Sequence, residues 1–402
     1  MLPSKLICDK LRALQLSLVP NHMSAAASFK LGNPHNELFP LESLVRAADE
    51  LLTGARTDCL IYGDVQGNAL LRQAILSQFH SYYGDCKPQE ILLTYGITEA
   101  ITLTARALIR PNDVVIVEAP TYLWALPEFR AQGAEIVQVP VDEQGLRVDL
   151  LESELERANR DGRRVRLIYC MPTFHNPSGA TLSLSRRKRL LELAAAYEVV
   201  VLEDDPYFEL RYHGSELPPL VALDKNNVVI HSSSFSKLIA PGVRIGWLLT
   251  HSPQLFDAIM KLKPNGTNPM LAAMLVNYMK SGALNDQLVR IRDYYRRSHE
   301  ICSEVLARLA HLGLTTFETA GGFYFWLRLP SYWPAEDFTK YASERKLEIF
   351  SGNQFFAAAP AEQFVRLAFS SFTHAELREK LEQFAAIAVD YQQLKAMHSA
   401  TA

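Results

Sequence analysis

From about residue 50, short apolar segments alternate with segments of helical periodicity, and this alternation constrains the fold more than any other sequence feature. The strand-like segments are 90–94, 113–118, 134–139, 165–170, 199–203, 228–231 and 244–249. The helix-like segments between them include 69–83, 98–108 and 185–197. Short apolar strands separated by helices are typical of a mostly parallel sheet covered on both faces. The sequence therefore predicts an α/β fold.

The pattern changes near residue 285. A long charged helical segment, 286–309, leads to two strand-like segments, 323–329 and 364–370, and then to a final helix. With 402 residues, the chain is too long for one ordinary domain. We predict an N-terminal segment (1–45) that packs with the small domain, a large domain (46–284) and a small C-terminal α+β domain (285–402).

Composition excludes several classes of protein. Apolar residues make up 48% of the chain, and the net charge of −3 gives no general attraction to nucleic acids or anionic membranes. The five cysteines form no C-x-x-C pair, so we expect neither a disulfide framework nor a metal site. Charged residues interrupt the first twelve positions, and no apolar run is long enough to cross a membrane. We therefore expect a cytoplasmic protein.

One lysine lies in a segment crowded with hydroxyl groups. Lys237 ends the run Ser-Ser-Ser-Phe-Ser-Lys, and Arg244 follows seven residues later. A lysine amine condenses with an aldehyde, while Ser234, Ser236 and Arg244 suit a phosphate on the same molecule. Pyridoxal phosphate carries both groups. Taken alone, the segment fits a serine-rich loop with a solvated lysine equally well.

Two further candidate segments follow strands at the edge where ligands bind in open α/β sheets. Gly96, Ile97 and Thr98 open a helix whose free N–H groups suit a phosphate, although an ordinary tight turn has the same pattern. Tyr122 follows the next strand and suits stacking on a planar cofactor, or an ordinary place in the core.

The next two strands also end in polar residues. Asn176 lies in a His-Asn-Pro-Ser-Gly turn and suits donation to a phenolic oxygen, whereas His175 is interpreted as a turn residue. Asp204 ends a strand of valine and leucine, where a carboxylate is costly unless it meets a charge such as a pyridinium nitrogen. Tyr207, three residues on, suits the ring oxygen of the same cofactor. The alternatives are a structural turn and a solvated acidic turn.

In this order, the motifs resemble those of the fold-type I pyridoxal-phosphate enzymes, the aspartate aminotransferase superfamily. The resemblance is strongest to the branch of 2-aminoadipate and kynurenine aminotransferases, and extends to the aminotransferase-like domain of certain GntR-type transcription regulators. It covers the chain from Gly32 to Arg366. It implies a homodimer that binds pyridoxal 5′-phosphate and moves an amino group between an L-amino acid and a 2-oxo acid.

The resemblance assigns roles to individual residues. Its catalytic residues are Lys237, which bonds to the cofactor aldehyde, Asp204 at the pyridine nitrogen, Tyr207 at the ring hydroxyl and Tyr122 stacked on the ring. The residues that hold the phosphate and ring hydroxyl are Ser234, Ser236, Arg244, Asn176 and the backbone of Gly96, Ile97 and Thr98. Tyr62 resembles a tyrosine that reaches the phosphate of the neighbouring subunit. The substrate-binding residues are Arg366, which receives the α-carboxylate, Gly32 and Asn176.

The phosphate turn departs from the family pattern. The family commonly has Ser-Gln after the glycine, whereas this chain has Ile97 and Thr98. Because Ile97 has no side-chain donor, phosphate binding must depend on backbone amides and Thr98.

Two other functions remain open at this stage. Enzymes of this superfamily also carry out elimination, replacement, cyclisation, decarboxylation or oxidation, so the cofactor is better defined than the reaction. A non-catalytic sensor is the other alternative, but about thirty residues precede Gly32, fewer than the ~50 that a DNA-binding domain needs. The basic run 186–189 is predicted to be a solvated helix face capped by Ser185, not a nucleic-acid site.

Overall fold

The computed structural model describes residues 28–54 and 57–400, with side chains to residue 397. Eight strands form the larger sheet, in the spatial order β1-β8-β7-β6-β5-β2-β3-β4. They are β1 (Ile91–Thr94), β2 (Val114–Ala119), β3 (Glu135–Asp142), β4 (Gly145–Leu146), β5 (Val165–Cys170), β6 (Val200–Asp204), β7 (Val229–Ser234) and β8 (Gly246–Leu249). The pairs from β3 through β2, β5 and β6 to β7 are parallel, whereas β8 runs antiparallel to both β7 and β1. The predicted mostly parallel sheet is confirmed.

Helices surround this sheet. They are α1 (Leu41–Thr53), α2 (Ala69–Gln78), α3 (His80–Tyr83), α4 (Ile97–Leu108), α5 (Ala125–Ala131), α6 (Val148–Arg160), α7 (Leu184–Ala196), α8 (Leu220–Leu223), α9 (Pro253–Met260) and α10 (Pro269–Lys280). Their beginnings follow the usual capping chemistry: Asn68 accepts from the Leu71 amide at 3.0 Å, and Asn268 accepts from the Leu271 amide at 3.0 Å. A proline at the first helical position of α9 and α10 fixes the backbone there.

A second, antiparallel sheet of four strands follows, in the order β11-β12-β10-β9. Its strands are β9 (Thr315–Thr316), β10 (Tyr324–Arg328), β11 (Phe350–Ser351) and β12 (Phe364–Ala368). The long helix α11 (Ala283–Ala307) precedes it, and α12 (Ala335–Glu344) and α13 (His374–Ala400) accompany it. Short 3-10 helices occur at Asn36–Leu38, Thr57–Leu60, Pro88–Glu90, Pro241–Val243, Ala310–Leu312 and Gly352–Phe355. The predicted boundaries at residues 45 and 284 stay predictions.

Two local expectations were wrong. The single helix expected over 69–83 is divided at Phe79, whose ring is buried against Phe208 and Trp247 and whose backbone leaves the helical region at φ −110°. Helix α7 begins at Leu184 with Ser183 as its N-terminal flanking residue, not Ser185.

The hydrophobic core is continuous between the two sheets. One cluster of buried apolar side chains extends from Leu92 and Val115 in the large sheet to Phe325 and Leu367 in the small one. Packing of this kind fixes the position of one sheet against the other. Within residues 28–54 and 57–400, no helix has both the length and the apolar character needed to span a membrane.

Candidate active site

A cavity of about 230 Å³ opens at the carboxyl ends of the strands of the large sheet. Its lining residues are Asn33, Ile97, Thr98, Tyr122, Met171, Asn176, Asp204, Pro206, Tyr207, Ser234, Ser236, Lys237, Pro241, Arg244 and Tyr324. Because parallel strands end at one edge, residues that are far apart in the sequence meet there. The structure thus brings most of the predicted site residues to one place.

Lys237 lies at the end of the turn that follows β7. Its Nζ donates to the carbonyl oxygen of Gly32 at 2.8 Å. Burial lowers the pKa of Lys237 from 10.5 to about 8, and the positive charges of Arg366 and Arg244 act in the same direction. A lysine with a lowered pKa has more neutral amine at physiological pH, and the neutral amine is the form that attacks a carbonyl.

Asp204 is the last residue of β6 and is buried. One carboxylate oxygen accepts from the Tyr169 hydroxyl at 2.6 Å, whereas Oδ1 has no hydrogen-bond partner among the described residues. Burial raises the pKa of Asp204 to about 7; the Tyr169 hydrogen bond opposes this rise, and the nearby charge of Asp205 adds to it. A buried carboxylate oxygen with no donor, at the wall of a cavity, suits a cationic ligand group.

Asp205 is buried too, but it does not line the cavity. One of its carboxylate oxygens accepts from the Tyr82 hydroxyl instead. Successive residues of an extended chain project to opposite sides. Of the two adjacent aspartates, only Asp204 is therefore placed to meet a ligand in the cavity.

A second group of residues at the cavity has the character of an anion site. The hydroxyls of Ser234 and Ser236 lie 2.8 Å apart, and Arg244 donates to the carbonyl of Tyr95 at 2.9 Å. Gly96 has a φ of +79°, and a Cβ there would lie 3.3 Å from the Arg244 guanidinium. The first N–H groups of α4, beginning at Ile97, add the partial positive charge of a helix N-terminus.

An ion pair between a buried lysine and a half-buried glutamate braces this turn. Lys263, whose side chain is fully buried, donates to Glu99 at 2.8 Å, and the same carboxylate accepts from the Tyr95 amide at 2.7 Å. Neither Glu99 nor Lys263 was among the predicted site residues. The two residues are far apart in the sequence, so no local pattern relates them.

Arg366 lies on β12 of the small sheet and is buried. It donates to the Asn176 side-chain oxygen at 2.9 Å and to the Lys30 carbonyl, and its Nε has no hydrogen-bond partner in the described part of the chain. Its guanidinium lies 4.5 Å from the ring centre of Tyr324 and 4.8 Å from that of Phe355. A buried guanidinium with an unused donor is suited to bind a carboxylate.

Three tyrosines enclose the cavity. Tyr122 lines it, and the hydroxyls of Tyr207 and Tyr324 lie 2.9 Å apart. Burial raises the pKa of Tyr122 and of Tyr207 well above the ordinary tyrosine value. Both hydroxyls therefore remain protonated and able to donate. Gly32 completes this wall, since a Cβ at Gly32 would overlap the Tyr324 hydroxyl.

Four predicted site residues are not among those that line the cavity: Gly32, Gly96, Arg366 and Tyr62. The first three each contact a lining residue, namely Lys237, Arg244 and Asn176 respectively, whereas no such contact is found for Tyr62 among the described residues. Its side chain is 102% exposed, and it is not among the cavity-lining residues. Leu60 and Ile61 beside it are exposed as well. Tyr62 therefore lies on the surface of its own chain, apart from the residues that line the cavity.

The basic run at the start of α7 does not form a solvated face as expected. Arg187 is fully buried and donates to the carbonyls of Leu182, Pro218 and Pro172, and to the Thr173 hydroxyl. Its neighbours Lys188 and Arg189 are exposed. Arg187 ties together the two ends of the segment that carries Asn176.

Comparisons with known proteins define the class of this site. The family profile "Aminotransferase class I and II" matches residues 28–384. The aromatic-amino-acid aminotransferase 1 of Thermococcus litoralis is 33% identical over 357 residues, which cover 88% of this chain and 86% of that protein. The chain belongs to the class I and II aminotransferases. It is an enzyme that transfers amino groups with pyridoxal 5′-phosphate as its cofactor.

Two solved structures show the same fold. The kynurenine aminotransferase of Pyrococcus horikoshii, in complex with PMP, has a TM-score of 0.90 and 30% identity, covering 96% of this chain and 98% of that one. The alpha-aminoadipate aminotransferase of Thermus thermophilus, complexed with N-(5′-phosphopyridoxyl)-L-leucine, has a TM-score of 0.88 and 29% identity, covering 97% and 99%. The predicted fold type is confirmed.

The residues of the cavity fit pyridoxal phosphate at three points. Lys237 offers an amine for the aldehyde, and the unpartnered Oδ1 of Asp204 suits a protonated ring nitrogen. The turn at Gly96, with Ser234, Ser236 and Arg244, suits the phosphate.

Proposed function

We propose that Lys237 is the residue that bonds to the cofactor and then moves the proton in amino transfer between an L-amino acid and a 2-oxo acid. The observation that carries this assignment is the position of its amine in the cavity, with a pKa lowered to about 8 by burial, Arg366 and Arg244. When bound, pyridoxal phosphate supplies an aldehyde for the amino group and a ring that stabilises negative charge on the adjacent carbon.

The proposed roles of the protein residues follow from their positions. Arg366 binds the α-carboxylate of the substrate, because its guanidinium is buried, charged and has an unused Nε. With the cofactor bound, the Lys237 amine would act as the base that takes the proton from the substrate Cα and as the acid that gives it back. Asp204 keeps the ring nitrogen protonated. Tyr122 covers the ring and, with Tyr324, restricts the access of water.

Asn176 and Tyr207 are proposed to hold the ring oxygen. The Asn176 side-chain oxygen already accepts from Arg366, so its NH₂ group is the part left to donate. This arrangement also explains how one residue takes part in both cofactor and substrate binding. The bond to Arg366 links the group at the ring oxygen to the group at the substrate carboxylate.

Borohydride reduction of the purified enzyme, followed by peptide mapping, tests the assignment of Lys237. The cofactor adduct is expected on Lys237, and an adduct on another lysine would overturn the assignment. Lys237→Ala is expected to abolish turnover while the cofactor still binds through its phosphate. Lys261→Ala, which removes an exposed lysine, is the matched control and should retain wild-type activity.

A second experiment tests the reaction. Aromatic amino acids, kynurenine and 2-aminoadipate are the first substrates to examine, since they appear in the names of the relatives. Mass analysis should show the matching 2-oxo acid, and a second 2-oxo acid should be converted to its amino acid. Elimination, replacement or decarboxylation products in place of the 2-oxo acid would show that this enzyme catalyses a reaction other than amino transfer.

We further propose that the enzyme is a homodimer in which Tyr62 reaches the phosphate site of the partner chain. Tyr62 is fully exposed, and the apolar side chains of Leu60 and Ile61, which precede it in the sequence, are exposed as well. An exposed apolar group of this kind is typical of a surface that another protein covers. Tyr62 is not among the residues that line the cavity of its own chain.

A further inference from the structure

Tyr324 forms the one hydrogen bond to the Tyr207 hydroxyl among the described residues, and no sequence pattern indicated this contact. The two oxygens lie 2.9 Å apart, and both side chains are buried. The rings meet edge to face at 87°, with centres 5.8 Å apart. The Tyr324 ring is further fixed by the Arg366 guanidinium at 4.5 Å and by contact with Gly32.

Counting protons gives this hydrogen bond a direction. Each hydroxyl has one proton to donate and can accept as well. If Tyr207 donated to Tyr324, the Tyr324 proton would have no acceptor within the described part of the chain, and Tyr207 would have nothing left for a ligand. If Tyr324 donates to Tyr207, the Tyr207 proton is free for an acceptor in the cavity. Both tyrosines line the cavity, so the position of the acceptor decides the direction. With the acceptor at Tyr207, as the proposed function has it, the second direction gives each buried proton a partner.

We propose that Tyr324 is a positioning residue: it donates to Tyr207 and so directs the Tyr207 proton to the ring oxygen of the cofactor. The inference rests on the proposed function, in which Tyr207 contacts that oxygen. The inference extends the proposed function by assigning a role to Tyr324, a residue of the four-stranded sheet. A hydroxyl that accepts a hydrogen bond is also a stronger donor, because neighbouring hydrogen bonds polarise one another.

The expected consequence concerns the proton on the nitrogen that joins Lys237 to the cofactor. A donor at the ring oxygen withdraws negative charge from it and thereby weakens the hold on that proton. Loss of Tyr324's hydroxyl weakens the Tyr207 bond, so the proton is held to higher pH. The other charged or titratable groups around Tyr207 are Tyr122 and Arg366, and Asp204 and Lys237 line the same cavity. All of these remain in place in Tyr324→Phe.

The test is a pH titration of the visible absorbance of the cofactor-loaded enzyme without substrate. Tyr324→Phe is expected to raise the midpoint by about 0.5 pH unit, a ~3-fold change in proton affinity, and Tyr207→Phe to raise it further. In a Tyr207→Phe background, the added Tyr324→Phe change should have little effect. Tyr212→Phe is the matched control: it removes another buried hydroxyl, bonded to the Gly322 carbonyl at 2.6 Å, and should leave the midpoint unchanged.

Two results would overturn the proposal. The first is an unchanged midpoint in Tyr324→Phe carrying a full complement of cofactor. The second is a Tyr324→Phe shift of undiminished size without the Tyr207 hydroxyl, since Tyr324 would then act independently. If Tyr324→Phe does not fold, Tyr324→Met removes the same hydroxyl and must shift the midpoint in the same direction. A wild-type enzyme with no cofactor adduct on Lys237 would contradict the proposed function itself, and this inference with it.

Discussion

The two adjacent aspartates at the end of β6 differ in what they face, and that difference decides their function. Each has one carboxylate oxygen with no donor among the described residues, but Asp204 lines the cavity, whereas Asp205 does not and accepts from Tyr82. Asparagine at either position keeps the shape of the side chain and removes the charge. The two variants thus compare the loss of the Asp204 charge, which is assigned to the cofactor, with the loss of the Asp205 charge, which is not.

We expect Asp204→Asn to lower kcat/KM by ~2–4 orders of magnitude, because loss of a buried charge-assisted bond costs ~3–5 kcal/mol. Asp205→Asn is expected to have a much smaller effect. Steady-state kinetics with the best substrate, together with measurement of bound cofactor, check both variants. Equal losses in the two would show that the wrong carboxylate is assigned to the ring nitrogen.

The lowered pKa of Lys237 predicts the pH dependence of its reactivity in the cofactor-free protein. Because burial, Arg366 and Arg244 all disfavour the ammonium form, the amine should become reactive as pH rises through about 8, not 10.5. Labelling with trinitrobenzenesulfonate at a series of pH values, followed by peptide mapping, measures this midpoint. Arg366→Leu removes one positive charge and should move the midpoint to higher pH. A downward movement would contradict the assigned cause.

At the scale of single residues, the sequence predicted those that differ in character from their neighbours and missed those that resemble them. Lys237 and Asp204 could be predicted because a lysine among serines and a carboxylate at the end of an apolar strand are conspicuous. Tyr324 could not, because it is one aromatic residue in an aromatic strand. Its importance comes from strand pairing: Trp326 lies opposite Arg366 and Tyr324 opposite Ala368, which places Tyr324 beside Arg366 on one face.

Among the elements, α7 shows how a local pattern can be misinterpreted. Its basic run suggested a solvated face, yet Arg187 precedes Leu190, Leu191 and Ala194 by three, four and seven residues. That spacing is the buried stripe of a helix, and it was the available signal. Nine of the twelve strands in the described residues were predicted to within a few residues, because apolar runs of their length have few alternatives. The two-residue strands β4, β9 and β11 were not predicted. The break at Phe79 was not predicted either, since it depends on aromatic rings from distant segments.

Arg187 is expected to stabilise the segment that carries Asn176. Arg187→Met would leave the carbonyls of Leu182 and Pro218 without the donor that Arg187 supplies, and the Pro172 carbonyl with the Leu182 amide alone, at a cost of about 3 kcal/mol or more. Urea denaturation of the variant measures this change in the free energy of unfolding. Arg189→Met, two residues along the same helix and exposed, is the control and should leave the free energy of unfolding close to the wild-type value. Similar values for both would contradict the bracing role.

At the scale of the whole molecule, the question is whether a second chain contributes Tyr62 to the active site. The strand and helix patterns of the sequence do not address it. A mixed dimer of Tyr62→Phe and Lys237→Ala chains has one site with a lysine, in the Tyr62→Phe chain. If Tyr62 serves the partner's site, that site receives its tyrosine from the Lys237→Ala chain, which keeps Tyr62. The site should then behave as wild type in activity and cofactor retention. If Tyr62 acts within its own chain, the same site should show the full Tyr62→Phe defect.

Two controls accompany this experiment. A homodimer of Tyr62→Phe chains should retain cofactor less well than wild type, with an unchanged unfolding midpoint. Sedimentation and activity assays at the same series of low protein concentrations should show that activity disappears as the dimer dissociates. A fully active monomer would contradict the shared site.

The hydrogen bond between Tyr207 and Tyr324 joins the two sheets of the molecule, since Tyr207 follows β6 and Tyr324 begins β10. A displacement of one sheet against the other by even a fraction of an ångström would lengthen that bond. If Tyr324 acts through Tyr207 as proposed, the colour of the bound cofactor becomes a gauge of the distance between the two halves of the enzyme, readable in solution without any added label.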